Sequence, residues 1–312
     1  MGSGILIECA CVASCLQARH LTHDGVPEIL MKEDYLRFRM RSRHFLPVIL
    51  LLILLAIVPA HAQTAIQQGF NRLYNLDFSG AHQSFDTWEK MHPTDPMGPV
   101  SHAADFLFAE FDRLGVLQSQ FFVDDNRYES RKKEAPDPNM KKMFDQALSA
   151  TDDLSNKALA ANPDDSNAQF AKVFALGLRS DYAALIERRD LAAISYTKQS
   201  RAIAEQLLKE KPDAYDAYLA VGIENYLSGI KPAPIRWMLQ MGGVQTDKGA
   251  GLRDLELTAT HGDLLAPFAR LLLAVAALRD KDTAKACSLL SGLSARYPQN
   301  NLYRNETQQR CH

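Results

Sequence analysis

An all-α fold of five or six stacked helix pairs is the architecture this sequence predicts for residues 63–312, and three observations carry it. Two distant segments repeat one pattern of small and large residues: Gly69, Ala81, Phe85, Trp88 and Pro93 stand at the same intervals as Ala274, Ala286, Leu290, Leu293 and Pro298. Four prolines, Pro93, Pro163, Pro212 and Pro298, each close an amphipathic stretch, as a residue that disfavours helix on its N-terminal side should. Finally, Asp181 to Glu210 contains neither proline nor glycine and reads as one lengthened helix of about thirty residues, roughly 45 Å long.

The elements follow in chain order. Residues 1–39 mix charges without periodicity and read as a disordered extension or a mis-assigned start, since Met40 is itself well placed to begin a chain. From Met40 to Ala62 the sequence has the make-up of a secretory signal: Arg41 and Arg43, an apolar run from Phe45 to Val58, then Ala60-His61-Ala62 with small residues at −3 and −1. Cleavage after Ala62 is expected, and with it export to the periplasm or cell envelope. The alternative, an inner-membrane anchor, is served poorly by an apolar run that reaches roughly 21 Å across a core of about 30 Å.

In the first repeat Gly69 lies on one helix, and Ala81, Phe85 and Trp88 on the next. Small residues permit close approach of the two backbones; the large ones fill the groove between neighbouring pairs. The turn Asp77-Phe78-Ser79-Gly80 matches Asp280-Lys281-Asp282 in the last repeat, with Ser79 and Asp282 as expected N-caps. Ala168 to Leu178 follows Pro163 as a first helix, and Tyr218, Val221 and Gly222 open another after Pro212. Two segments, 116–140 and 228–251, are broken by Pro, Gly and charge and read as insertions.

This spacing resembles the tetratricopeptide repeat, a 34-residue helix–turn–helix unit. The resemblance implies a right-handed superhelix, here with irregular and partly lengthened repeats, because the prolines at 93, 163, 212 and 298 do not keep a 34-residue period. The segment GIKPAPIRWMLQMGGVQTDKGAGLRDL is similar to one in a broad, poorly characterised group of tetratricopeptide proteins. That group has exported bacterial members and a eukaryotic branch linked to outer mitochondrial membranes and lipid droplets.

Composition excludes more functions than it suggests. Of the chain's 35 Lys/Arg and 37 Asp/Glu, six and five lie in residues 1–62, leaving 29 basic against 32 acidic side chains and no case for nucleic acid. His82, His92 and His102, ten residues apart, should scatter over different faces, so no metal set and no cofactor is expected. Gly242 to Gly251 does not make a phosphate loop, because Lys248 follows Asp247 and no Ser or Thr comes after it. His261, before Gly262, reads as a residue at a helix C-terminus.

The expected function is therefore a non-catalytic scaffold that binds a protein or peptide on the concave face formed by the first helices. Arg72, Tyr74, Phe106, Glu110, Tyr218 and Asn225 are the candidate partner-binding residues. An alternative is a peripheral envelope component touching lipid through Ile235, Trp237, Met238 and Met241. A third is a hydrolase or transferase using the cluster Phe121 to Tyr128, with Asp124 and Asp125. Cys287 and Cys311 could form a disulfide in an oxidising compartment or remain a buried and a free thiol.

Overall fold

The computed structural model describes residues 63–117, 135–230 and 246–311, and every regular element among them is helical. The expected signal segment, the extension before it, the Phe121–Tyr128 cluster and the Trp237 segment lie outside the described residues. Gln63–His312 forms one compact unit. None of its described helices is long and apolar enough to cross a membrane.

The eleven described helices are α1 (Ala65–Tyr74), α2 (Phe78–Met91), α3 (Met97–Arg113), α4 (Pro138–Ala161), α5 (Ser166–Asp181), α6 (Asp190–Glu210), α7 (Tyr218–Gly229), α8 (Lys248–His261), α9 (Ala266–Arg279), α10 (Thr283–Arg296) and α11 (Asn301–Arg310). They pair as α1 with α2, α3 with α4, α5 with α6, α7 with α8 and α9 with α10, and α11 packs on α10. Successive first helices also touch: α1 packs on α3, α3 on α5 and α5 on α7.

Local chemistry sets the boundaries. Thr64 and Gln67 form a reciprocal capping box at α1. Asp77, Asp137, Asp165, Asp247 and Asp282 cap α2, α4, α5, α8 and α10 through their side chains, each exchange contributing about 1 kcal/mol. The cap of α2 is thus Asp77, not Ser79; it stands four residues before Ala81, as Asp282 stands before Ala286. At the other ends, α2, α4, α6 and α10 each stop two residues before a proline, and the residue between, His92, Asn162, Lys211 or Tyr297, takes a non-helical φ between −123° and −143°. α8 ends on His261 as expected.

The turns inside the first and last pairs share their left-handed residue and the bond that closes over it. Leu76 and Lys281 adopt left-handed conformations, at φ 63° and 62°. The next amide donates back across the turn, Asp77 to the Arg72 carbonyl and Asp282 to the Ala277 carbonyl. Gly115 makes the same turn after α3, at φ 63°.

Packing follows the small-and-large pattern. Phe85 is fully buried, and a Cβ added at Gly69 would lie 2.2 Å from its Cε1 atom. In α7 and α8, Gly222 and Gly251 bring the backbones together: a Cβ on Gly251 would lie 2.5 Å from the Tyr226 nitrogen. Ala81, Ala286, Leu290 and Leu293 are all buried. Trp88 differs from its counterpart Leu293. It is only partly buried, with its indole N–H donated to Asp95 and its ring against His92.

The single helix expected over Asp181–Glu210 is two. α5 ends at Asp181, a π-helical turn runs Tyr182–Glu187, Arg188 turns left-handed at φ 56°, and α6 starts at Asp190. One straight helix would leave its apolar stripe without a partner. Folding back buries Val173, Ala204 and Leu207 together, and that gain outweighs the roughly 1–2 kcal/mol cost of a left-handed arginine.

Candidate functional site

The first helices of all five pairs face one cavity. α1 contributes Phe70, Leu73 and Tyr74, α3 Phe108, α7 Leu219, Ala220 and Ile223, and α9 Phe268. α5 contributes most: Phe170, Val173, Phe174, Gly177, Leu178 and Asp181 recur at steps of three and four, so one stripe of a single helix forms a wall. The space between these walls, counted with its open mouth and the solvent in it, is about 780 Å³.

Contacts between the two ends of the unit close this space. The Tyr74 hydroxyl donates to the Leu264 carbonyl at 2.9 Å, and Asn300 Nδ2 donates to the Tyr74 carbonyl at 2.9 Å. Gln67 Nε2 reaches the Asp263 carboxylate at 2.7 Å. Rings seal the same seam, Tyr74 against Tyr297 and Phe108 against Phe268. Asp216, on the cavity wall, accepts from the backbone amides of Asp263, Leu264 and Leu265 and so fixes the turn into α9.

The polar groups lining the cavity are mostly engaged. Ser180 and Thr197 share a hydrogen bond at 2.8 Å and both reach the Ala193 carbonyl, while Ser200 donates to the Val173 carbonyl. Burial raises the Asp216 carboxyl, though its three amide bonds oppose the shift. Asp181 has no such compensation, and burial alone pushes it to about 7.

The six expected partner-binding residues do not form one surface. Tyr74 lines the cavity. Arg72 pairs with Asp77 beside it. Glu110 is buried, bridged to Arg113 and accepting the Asp137 amide at the start of α4. Asn225 is buried and accepts from Arg201. Phe106 packs against His82 and His102, and the Tyr218 hydroxyl donates to the Pro212 carbonyl. Position in the repeat put these residues on first helices, but polar groups there found structural partners. The cavity wall is apolar, and its signal was the spacing of Phe170, Val173, Phe174 and Gly177.

The histidines depart from expectation too. His82 on α2 and His102 on α3 face each other across the joint of the first two pairs, Nδ1 to Nδ1 at 3.1 Å. Ten residues of separation do not scatter them, because the turn after Pro93 reverses the chain and sets α3 along α2. Asp86 lies 3.4 Å from His102 Nε2 and 4.0 Å from His82 Nε2. Asp105 Oδ2 lies 3.4 Å from His82 Nδ1. Burial, then His82, pushes the His102 imidazolium down to about 4, against the pull of Asp86. Burial, then Asp77, lifts the Asp105 carboxyl to about 7.

Cys287 and Cys311 are joined as a disulfide that ties α10 to the end of α11. Comparison with family models, with curated proteins and with solved structures finds no match to this chain.

Proposed function

We propose that residues 63–312 form a tetratricopeptide-like superhelix curled round on itself, working as an exported, non-catalytic binding protein for a small and mainly apolar ligand. The observation that carries this reading is the cavity walled by the first helix of every pair, the surface such arrays use for recognition. Bonds joining α1 to Asp263, Leu264 and Asn300 bring the two ends of the described helices together, which favours a compact apolar ligand, or the apolar side chain or end of a peptide, over an extended chain. A binding role is favoured by the apolar lining of the cavity, where Ser180, Thr197 and Ser200 bond to one another or to backbone carbonyls. Export is favoured by the signal-like segment ending at Ala62 and by the pairing of Cys287 with Cys311.

Gly177 provides the test. It lines the cavity on α5, and a Cβ built there meets nothing within 4 Å. Gly177→Leu therefore places an apolar side chain in the cavity from a position where its Cβ meets no neighbour, and it removes a helix-weakening glycine, worth up to about 1 kcal/mol. A neutral apolar fluorophore titrated into the wild-type chain should bind at one saturable site, and Gly177→Leu should abolish that binding while raising the melting temperature. Undiminished binding to the stabilised variant refutes the cavity as the ligand site.

A further inference from the structure

We propose that His82, Asp86 and His102 bind one divalent transition-metal ion of the zinc type, with Asp105 holding the His82 ring from behind. One ligand atom from each of the three lies within 4.8 Å of the others. Tetrahedral zinc with bonds of about 2.0–2.1 Å sets its ligand atoms roughly 3.3 Å apart. The 3.4 Å from His102 Nε2 to Asp86 Oδ1 already meets that spacing. The 4.0 Å from His82 Nε2 to Asp86 Oδ1 must close by well under 1 Å, and both of those side chains are half-exposed and able to adjust.

A second, independent feature points to a cation. The Asp105 side chain is 5 % exposed, its Oδ2 faces His82 Nδ1, and its Oδ1 is buried with no hydrogen-bond partner among the described residues. A buried carboxylate wants either a proton or a compensating positive charge. With Nε2 of both rings on the metal, both Nδ1 atoms carry hydrogen, so the 3.1 Å Nδ1–Nδ1 contact opens and the His82 N–H turns to Asp105 Oδ2, the carboxylate–histidine–metal arrangement that fixes ring orientation in such sites. Glu89, with Oε2 4.0 Å from His102 Nε2, is in reach as a fourth ligand, and water serves otherwise. Imidazole with carboxylate favours zinc and its later first-row neighbours over calcium or magnesium, which prefer all-oxygen sites. Because α2 belongs to the first helix pair and α3 to the second, the ion would clasp the two pairs together. This does not depend on what occupies the cavity, whose lining includes none of these residues.

The test uses the full chain without an affinity tag, stripped with chelator and titrated with Co²⁺ and with Zn²⁺. Cobalt should give visible ligand-field bands without thiolate charge transfer, which separates this site from Cys9, Cys11 and Cys15, and Zn²⁺ should raise the melting temperature. Asp86→Asn and His82→Gln should each weaken the non-thiolate component by about tenfold or more, whereas His92→Gln, a histidine outside the set, should leave it unchanged. The proposal is overturned if the variants retain wild-type cobalt spectra and affinity, if only thiolate bands appear, or if Zn²⁺ leaves the wild-type melting temperature unmoved.

Discussion

Gly69 gives the sharpest test of how the first helix pair is held together. In the interior of an isolated helix, Gly→Ala should stabilise by up to about 1 kcal/mol. Here the added methyl would lie 2.2, 2.6 and 2.8 Å from Cε1, Cδ1 and Cζ of Phe85, where carbon atoms settle at about 3.5–4.0 Å. Phe85 cannot simply step aside. It is fully buried, with the Phe70 ring edge-on at 5.5 Å and His102 at 5.7 Å. Overpacking of this kind costs about 1–3 kcal/mol, so after the propensity gain the net effect of Gly69→Ala should be a destabilisation of up to about 2 kcal/mol. Phe85→Leu removes the ring atoms that clash, and Gly69→Ala added to that background should cost little or become favourable. The coupling energy of the cycle should therefore be about 1–2 kcal/mol. Urea unfolding followed by circular dichroism measures all four corners. A stabilised Gly69→Ala, or single effects that add within about 0.4 kcal/mol, would show that the small residue is not there to admit the large one.

Two further outcomes are expected. Asp181 carries a proton in the folded chain up to about pH 7, whereas an unfolded aspartate releases it near 3.8. Between those values the folded state binds the extra proton, so this group's contribution falls as pH rises, by at most about 1.4 kcal/mol per unit, and levels off above pH 7. Asp181→Asn removes that slope: the variant's melting temperature relative to wild type should be higher at pH 8 than at pH 5, and a pH-independent difference would rule out a buried proton there. The disulfide between Cys287 and Cys311 closes a separation of 24 residues. Cys311→Ser should lower stability by about 3 kcal/mol in the chain-entropy model and speed amide exchange first in α11, while an unchanged urea midpoint would count against the bond.

Helix boundaries were the most legible part of the chain. Proline acts on its immediate predecessor, so Pro93, Pro163, Pro212 and Pro298 each marked the end of a helix. The spacing from Gly69 to Phe85 reported a contact between adjacent helices for the same reason, since both partners lie within a few turns of one hairpin. The break at Arg188 leaves no local mark in the sequence, because it uses no glycine or proline. A left-handed arginine is tolerated only because folding back buries the faces of α5 and α6, and that gain is tertiary.

The candidate site divides along the same line. From the sequence alone came the helical content and most of the helix ends; each rests on interactions spanning a few residues or one hairpin. Only the tertiary structure decided that α1 meets Leu264 and Asn300, that five first helices enclose Phe70, Phe174 and Phe268 in one cavity, and that His82 and His102 come together. Those outcomes depend on contacts between helices that are distant in the chain. No local pattern encodes contacts between residues as far apart as 190 and 226 positions.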